Sequence, residues 1–570
     1  MRTKIYCLSL ILLIVAADML AGQPEKPNEK LNKVTAVPTW TRFNINNIST
    51  VFTADGRSDN YTDTKKPAFE YPKGSSKYLF YQSGLIWGGK VLHPDTMQIR
   101  VTGSAYRTAM MPGHVINGVP VDTSVNDRAR IFRVRPDYAT ADLTSEVNSG
   151  EGTEAMVRAQ YEKDWNEWPA ELGAPYQDLD ENGVYDPAVD IPGVKEADQT
   201  IWFVCNDLYP PQAELLYGSY PLGVEMQATI WGYKREGALG NTLFRKYVLI
   251  NKSGKDIEEM YVSMWSDPDC GDGTDDFVGI DKEKNLMYVY NGKANDAIYG
   301  YTPPAGGFDL LQGPIVDAPG ETGIFMGKKV ANKKNLPVTG TYYFINQNEV
   351  YSDPGQGSYQ DGTLQFWNLL RGKIGTTGDD YPVPGGGVTN FPLDGDPLIR
   401  AGYIDGLLFP PGDRRIGMAS GPFTFAVGDT QEVVLAQIAA GASGETDRLG
   451  AVNILRQYDL LVQNTYNNSV GIIGIESDEP SAPTRYDLSQ NYPNPFNPST
   501  TINFAVPKAG NVKITVYDML GREVEILTNK EYSVGVHKIE WNASRYSSGV
   551  YFYKLESAGF SMAKKMLLIK

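Results

Sequence analysis

Val224-Glu225-Met226-Gln227-Ala228-Thr229-Ile230-Trp231 sets an apolar side chain at every second position, the period of a strand with one face in a core. Two further β-rich segments follow, Thr242 to Ile250 and Met260-Tyr261-Val262-Ser263-Met264-Trp265, joined by Gly-Ala-Leu-Gly and Lys-Ser-Gly-Lys turns. The economical reading is a three-strand meander forming one sheet of a sandwich.

Working outward, residues 40–150 repeat short strand signals at Lys77 to Gln82, Leu85 to Trp87, Met97 to Val101 and Ile131 to Val134, and read as an N-terminal β domain. Between Thr153 and Glu171 a mixed helical pattern carries Met156, Ala159, Tyr161 and Trp165 and is stopped by Pro169. Downstream, residues 290–420 are rich in loops. Phe423-Thr424-Phe425 and Glu432 to Ile438 then read as a strand pair around Gly428-Asp429. Leu449, Val452, Leu455, Tyr458 and Leu461 fall on one helical face between about 446 and 466, with Thr446 as the expected cap. The fold class is thus all-β in the main: a multidomain β-sandwich with a few helices. Its central region runs over 151–475, and a polar linker follows at 476–490.

The ends read differently. Met1-Arg2-Thr3-Lys4, the apolar run Ile5 to Ala17 and Ala21-Gly22-Gln23 have the form of a secretory signal peptide over 1–22; the run is too short to span a bilayer. No cysteine stands at the cleavage region to carry a lipid anchor, and the mature chain has no second apolar run of membrane length. Residues 23–39 hold too few apolar side chains to order themselves and read as a flexible linker. In the last eighty residues Val512, Ile514 and Val516 alternate with polar neighbours, as does Gly549-Val550-Tyr551-Phe552-Tyr553-Lys554-Leu555. Such strands predict a small separate sandwich over 491–570.

That last segment resembles a known family. The Tyr492-Pro493-Asn494-Pro495-Phe496-Asn497-Pro498 arm, the Val516 to Val524 hairpin, the Ser548-Gly549-Val550-Tyr551 strand and the Lys564-Lys565-Met566-Leu567-Leu568-Ile569-Lys570 tail look like the C-terminal sorting domain of type IX (Por) secretion cargo. The resemblance implies an immunoglobulin-like fold of the flagellar hook-capping (FlgD) type. It also implies an outer-membrane translocon as partner, passage through the periplasm of a Gram-negative bacterium, and release or anchoring at the cell surface. Trp265 to Asp269, Asp275 to Gly279 and Ser420 to Val434 resemble stretches of other secreted proteins with the same tail, a likeness that brings no activity with it.

The formal charge is −16, about −17 once a leader with Arg2 and Lys4 against Asp18 is removed. An acidic surface favours cations and argues against nucleic acid or anionic lipid as partner. Cys205 and Cys270 remain after the leader and permit one disulfide or two buried thiols.

The sharpest chemical signal is Asp178-Leu179-Asp180-Glu181-Asn182-Gly183-Val184-Tyr185-Asp186. Oxygen side chains at loop positions 1, 3, 5 and 9, a glycine at 6 and the Val184 carbonyl at 7 match the first part of a calcium loop. Position 12 is Val189, Asp190 follows, and Pro187 obstructs an exit helix, so a dockerin- or thrombospondin-like loop fits better than an EF-hand. The expected ligands are Asp178, Asp180, Asn182, Val184, Asp186 and Asp190, and the expected cofactor is calcium; the alternative is a solvated Asn-Gly turn. Asp267, Asp269, Asp272, Asp275, Asp276 and Asp281 form a second acidic run with no Lys or Arg inside it. With His93, His114 and His537 as the whole histidine complement, a His-rich zinc site is excluded. Paired carboxylates of a polysaccharide hydrolase remain open, although no pair stands out. Trp165, Trp168, Trp202, Trp231, Trp265 and Trp367 read as core rather than as a sugar-binding face. The function expected is a secreted or surface-held, calcium-stabilised structural or binding module, with an extracellular glycan or surface protein as partner. The alternatives are a polysaccharide hydrolase and a surface-layer or adhesin component.

Overall fold

The computed structural model describes residues 39–569 apart from 122, 124, 125, 443, 445, 470–485, 489, 492, 493, 534 and 558. The expected signal peptide, nearly all of the 23–39 linker and most of the 476–490 linker lie outside the described residues. Two compact units result, one within Met1–Ile475 and one within Glu476–Lys570. Both are built mainly of antiparallel strands, as the alternating patterns require.

The larger unit holds two broad sheets. The first runs in the order Trp40–Phe43, Thr50–Thr53, Arg57–Ser58, Gln82–Leu92, Ile257–Asp267, Arg414–Phe425, Gly340–Ile345, with Met97–Gly103 paired to the far half of Gln82–Leu92. The second runs Met111–Pro112, Gln199–Asn206, Val224–Gly232, Thr242–Asn251, Thr430–Ala440, Ala305–Gln312, Leu286–Asn291, Asp276–Asp281, with Phe132–Val134 also on Gln199–Asn206. Residues 40–150 supply strands to both sheets. Gln82–Leu92 is hydrogen-bonded to Ile257–Asp267 from Gln82↔Asp267 to Lys90↔Glu258, so the expected boundary near 150 does not divide the body.

Alternation explains the layering. Met226, Ala228 and Ile230 point into the core shared with Leu85, Ile86, Val262 and Met264 of the first sheet. On Thr430–Ala440 apolar side chains stand at consecutive positions from Val433 to Ala436 because both faces are covered. Val433 and Leu435 enter that core, while Val434, Ala436 and Ile438 meet Ala451, Val452, Leu455 and Val462 of the Arg448–Ser469 helix. The helix is capped by Asp447, whose Oδ1 accepts from Gly450 N at 2.8 Å, rather than by Thr446. Leu461, expected on the buried face, is exposed, and Val462 takes its place.

Two expected pairings are corrected. Ile257–Asp267 leaves the meander and joins the first sheet, and Arg414–Phe425 and Thr430–Ala440 lie in different sheets rather than pairing. Both chain segments cross between sheets at one corner. There the buried Asn251 side chain donates to the carbonyls of Lys255 (2.9 Å), Phe425 (2.8 Å) and Ala426 (3.0 Å), tying the two crossovers together.

The smaller unit is a seven-stranded sandwich of the expected immunoglobulin-like kind. Asp487–Leu488, Ser499–Val506 and Gly535–Asn542 form one sheet; Glu523–Tyr532, Gly510–Asp518, Gly549–Ser557 and Phe560–Leu568 form the other. Ile502, Phe504, Trp541, Ile514, Val516, Tyr553 and Leu555 fill the space between them. The proline-stiffened arm lies along the last strand: Phe496 N donates to Leu567 O and Ile569 N to Phe496 O, both at 3.0 Å.

Candidate metal centre

The 178–190 loop is closed at its base by a short ladder, Tyr176↔Pro192 and Gln177↔Ile191. The Glu154–Asn166 helix, capped by the Thr153 side chain, holds it from outside. Trp165 Nε1 donates to Pro187 O at 3.1 Å, and Tyr185 OH to Trp165 O at 2.6 Å. Inside the loop the Asp178 carboxylate accepts from Asn182 N (3.2 Å) and Gly183 N (2.7 Å), and these bonds hold its pKa below the ordinary carboxylate value. That turn needs the left-handed backbone of Gly183, φ 75°. Asp190 is buried and accepts from Leu179 N at 2.9 Å and Asp186 N at 2.8 Å.

Among the expected ligands, Asp178, Asp180 and Asp190 converge, each offering a carboxylate oxygen within 4.8 Å of the others. Asn182 Nδ2 donates to Asp180 Oδ2 at 2.8 Å, and Asn182 Oδ1 accepts from Val184 N at 2.7 Å. Asp186 turns its Oδ1 to Ala188 N at 2.9 Å and stands outside the convergent trio. The chain leaves the loop into Ile191–Pro192 rather than into a helix. Three anions at this spacing, paired with no Lys or Arg among the described residues, form an all-oxygen donor set that fits a hard divalent cation.

The second acidic run does not act as one site. Asp281 is paired with Lys284 at 2.8 Å and Asp275 with Lys293 at 3.2 Å, while Asp276 Oδ2 accepts from Cys270 N at 3.0 Å. Asp267 and Asp269 instead converge with Asp413, which lies far along the chain. Arg415 stands among them, 3.4 Å from Asp267 Oδ1, 2.7 Å from Asp413 Oδ1 and 3.7 Å from Asp353 Oδ2. Tyr106 OH donates to Asp267 Oδ2 at 2.7 Å and accepts from Arg415 Nε at 2.6 Å. Burial pushes the Asp267 carboxyl well up. It also takes Asp269 to about 6, with the Asp413 charge adding to the effect. Asp353, Asp413, Arg415 and Tyr106 escaped the sequence reading; the signal available was Asp413-Arg414-Arg415, a charged triplet heading an apolar strand.

Cys205 and Cys270 are free thiols, each buried. Trp168, Trp202, Trp231, Trp265 and Trp367 are core side chains, and Trp165 is half-buried.

Residues 490–570 match the family model of the secretion system C-terminal sorting domain. The chain therefore ends in a type IX sorting domain, an address for secretion to the cell surface or the extracellular space. No curated protein matches the chain. Among solved structures, a polysaccharide lyase aligns at 10% identity over 60% of this chain and 34% of its own, with a TM-score of 0.16. The aligned part spans about a third of that lyase, and a likeness of this size carries no argument about the present chain. No helix of the described residues is long and apolar enough to cross a membrane.

Proposed function

We propose that the chain is led into the periplasm of a Gram-negative cell by its signal peptide and exported through an outer-membrane type IX translocon. It then works outside as a calcium-stabilised structural or binding module whose partner is a glycan or surface protein. The observation that carries the metal is the convergence of Asp178, Asp180 and Asp190 in a loop closed at its base. Asn182 Oδ1 and the Val184 carbonyl are the further oxygens of the expected loop pattern. A cation held there neutralises three mutually repelling carboxylates and pins the loop to the Glu154–Asn166 helix through Trp165 and Tyr185. Calcium at a hundredfold excess over its dissociation constant stabilises the folded state by about 2.7 kcal/mol. Thermal melts of the purified chain with calcium and with chelator test this. The melting temperature is expected to fall on chelation in the parent and to be insensitive to chelator in Asp178→Ala and Asp180→Ala. A parent melt unchanged by chelator would remove the metal.

A polysaccharide hydrolase is favoured by one feature, the Asp269 carboxyl pushed up to about 6 beside buried Asp267. A general acid must hold its proton near neutral pH. Turnover of a glycan panel that is lost in Asp269→Asn would establish it, whereas saturable binding without turnover supports the module.

A further inference from the structure

A cavity of about 400 Å³ opens at the end of the sandwich beside the Asn251 corner, within the usual size range of ligand clefts. Its lining carries His93, Arg100, Lys252 and Lys255 and not one Asp or Glu, although acidic residues outnumber basic ones, 68 to 52, in the whole chain. Nearby Lys90 is paired with Glu259 at 2.7 Å, but among the described residues none of the lining Arg100, Lys252 and Lys255 forms an ion pair. Positive potential is therefore concentrated in a concave site on an otherwise negative molecule.

The walls are fixed in place. Arg100 Nη1 donates to Pro221 O at 2.6 Å, its guanidinium stands 6.0 Å from the Tyr220 ring, and its buried Nε has no hydrogen-bond acceptor among the described residues. Lys255 Nζ gives one N–H to Leu92 O at 2.9 Å, leaving two to a ligand. Beneath, the Asp207 carboxylate accepts from the backbone N–H groups of Leu222, Gly223 and Val224, at 2.6–2.9 Å, locking the wall that bears Tyr220, and its charge acts on the Arg100 guanidinium, so that Lys252 and Lys255 carry most of the free positive charge of the site. Gly223, at φ 82°, packs so close to Ser253 that an added Cβ would come within 2.5 Å of the Ser253 Cβ. This contact seals the Tyr220 wall against the lysine-bearing turn. Tyr220 itself is 56% exposed and offers a ring face at the mouth.

We propose that this cavity binds an acidic saccharide, a uronate whose carboxylate sits among Lys252, Lys255 and Arg100 while its ring lies against Tyr220. Cations select the anion, and the aromatic ring with the half-buried Leu208 beside it selects a body with a C–H face rather than a bare ion. The inference deepens the binding-module reading and rests on it. The calcium loop lies elsewhere, so the two are tested separately.

Titration calorimetry of the full chain with trigalacturonate, with neutral maltotriose and with sulfate tests it. Saturable one-to-one binding of trigalacturonate is expected, weakened about tenfold or more by Lys252→Ala and by Lys255→Ala. Binding should be unchanged in Lys90→Ala, whose ammonium is occupied by Glu259. Melting temperatures of the variants, at or near the parent's, confirm that the turn substitutions leave the fold intact. Absence of saturable binding, equal binding of maltotriose, or affinity untouched by both lysine substitutions would overturn the proposal. Sulfate binding as tightly as trigalacturonate would overturn the saccharide class. Loss of the calcium-dependent melt with uronate binding retained would refute the metal alone.

Discussion

Replacing Asp309 and Asp459 together by Asn should stabilise the body above neutral pH and leave it unchanged in acid. Asp459 lies on the inner face of the Arg448–Ser469 helix and Asp309 on the Ala305–Gln312 strand beneath, 2% and 0% exposed. Among the described residues no third group donates to either Asp309 oxygen, so the mutual hydrogen bond of the two carboxyls requires a proton on one of them. Burial is the main cause that raises both pKa values; it takes Asp459 from 3.8 to about 7, with Lys284 opposing and Asp281 adding to the rise. The folded-state pKa is the higher one. Its stabilising contribution is therefore complete below about pH 4 and is lost as the pH climbs to about 7. For Asp459 alone, the rise from 3.8 to about 7 corresponds to about 4 kcal/mol at 1.36 kcal/mol per pH unit. Since the pair shares its proton and a charged helix face can admit water, about 1–3 kcal/mol is expected at pH 8. Two facing amides stay neutral throughout and hydrogen-bond each other. Urea midpoints of parent and double variant at pH 4.5, 6 and 8, with hydrogen exchange of the helix amides, read the difference. Taking variant minus parent cancels the other buried carboxyls, Asp207 and Asp276 among them. A double variant no more stable than the parent at pH 8 would refute the reasoning.

Asp59→Ala should cost about 3–5 kcal/mol, because it strands the fully buried Arg245 guanidinium, whose Nη2 lies 3.2 Å from both Asp59 oxygens between the two sheets. Denaturant midpoints check it, and a loss under 1 kcal/mol would contradict the pairing. Asn251→Ala removes five side-chain hydrogen bonds at the crossover corner, three donated and two accepted from Ser253, and should cost about 2–3 kcal/mol by the same assay. Deleting residues 491–570 should leave a folded body in the periplasm, whereas cell fractionation showing normal export of the truncated chain would refute the sorting role. Chelation should lower the melting temperature of the parent but not of Asp180→Ala.

The legible parts of the fold were those set by near neighbours in sequence. Alternation gave the strands at Val224–Gly232 and Thr242–Asn251 and the strands of the smaller sandwich. The mixed helical pattern stopped by Pro169 gave the helix at Glu154–Asn166. The calcium-like spacing brought Asp178 and Asp180 together, and one residue beyond the pattern, Asp190, completes the trio. Partners across sheets were not legible, since period-two patterning says which face is buried but not which sheet a strand joins. The acidic run after Asp267 looked like one cluster because its residues are adjacent in sequence. In space its members diverge along Asp276–Asp281 and toward Arg415, whose position depends on the register of Arg414–Phe425 against Ile257–Asp267.

Asn251 shows why such errors come in pairs. The two segments whose expected pairing fails, the strand after Lys252-Ser253-Gly254-Lys255 and the strand after Gly428-Asp429, leave the same corner for different sheets. Besides its side-chain bonds, Asn251 N donates to Asp429 O at 3.0 Å, and Gly428 N to Asn251 O at 3.1 Å. A short polar turn after a strand reads as a hairpin whenever only one segment is in view. When two such turns meet, each satisfies the backbone groups the other leaves unpaired, and neither strand needs to fold back on its predecessor. The cavity among His93, Arg100, Lys252 and Lys255 is bounded by this corner, because the lysine-bearing turn is one of the two crossovers. The long-range event that hid the topology from the sequence is therefore the one that gathers Arg100, Lys252 and Lys255, individually unremarkable in sequence, around a single space beside His93.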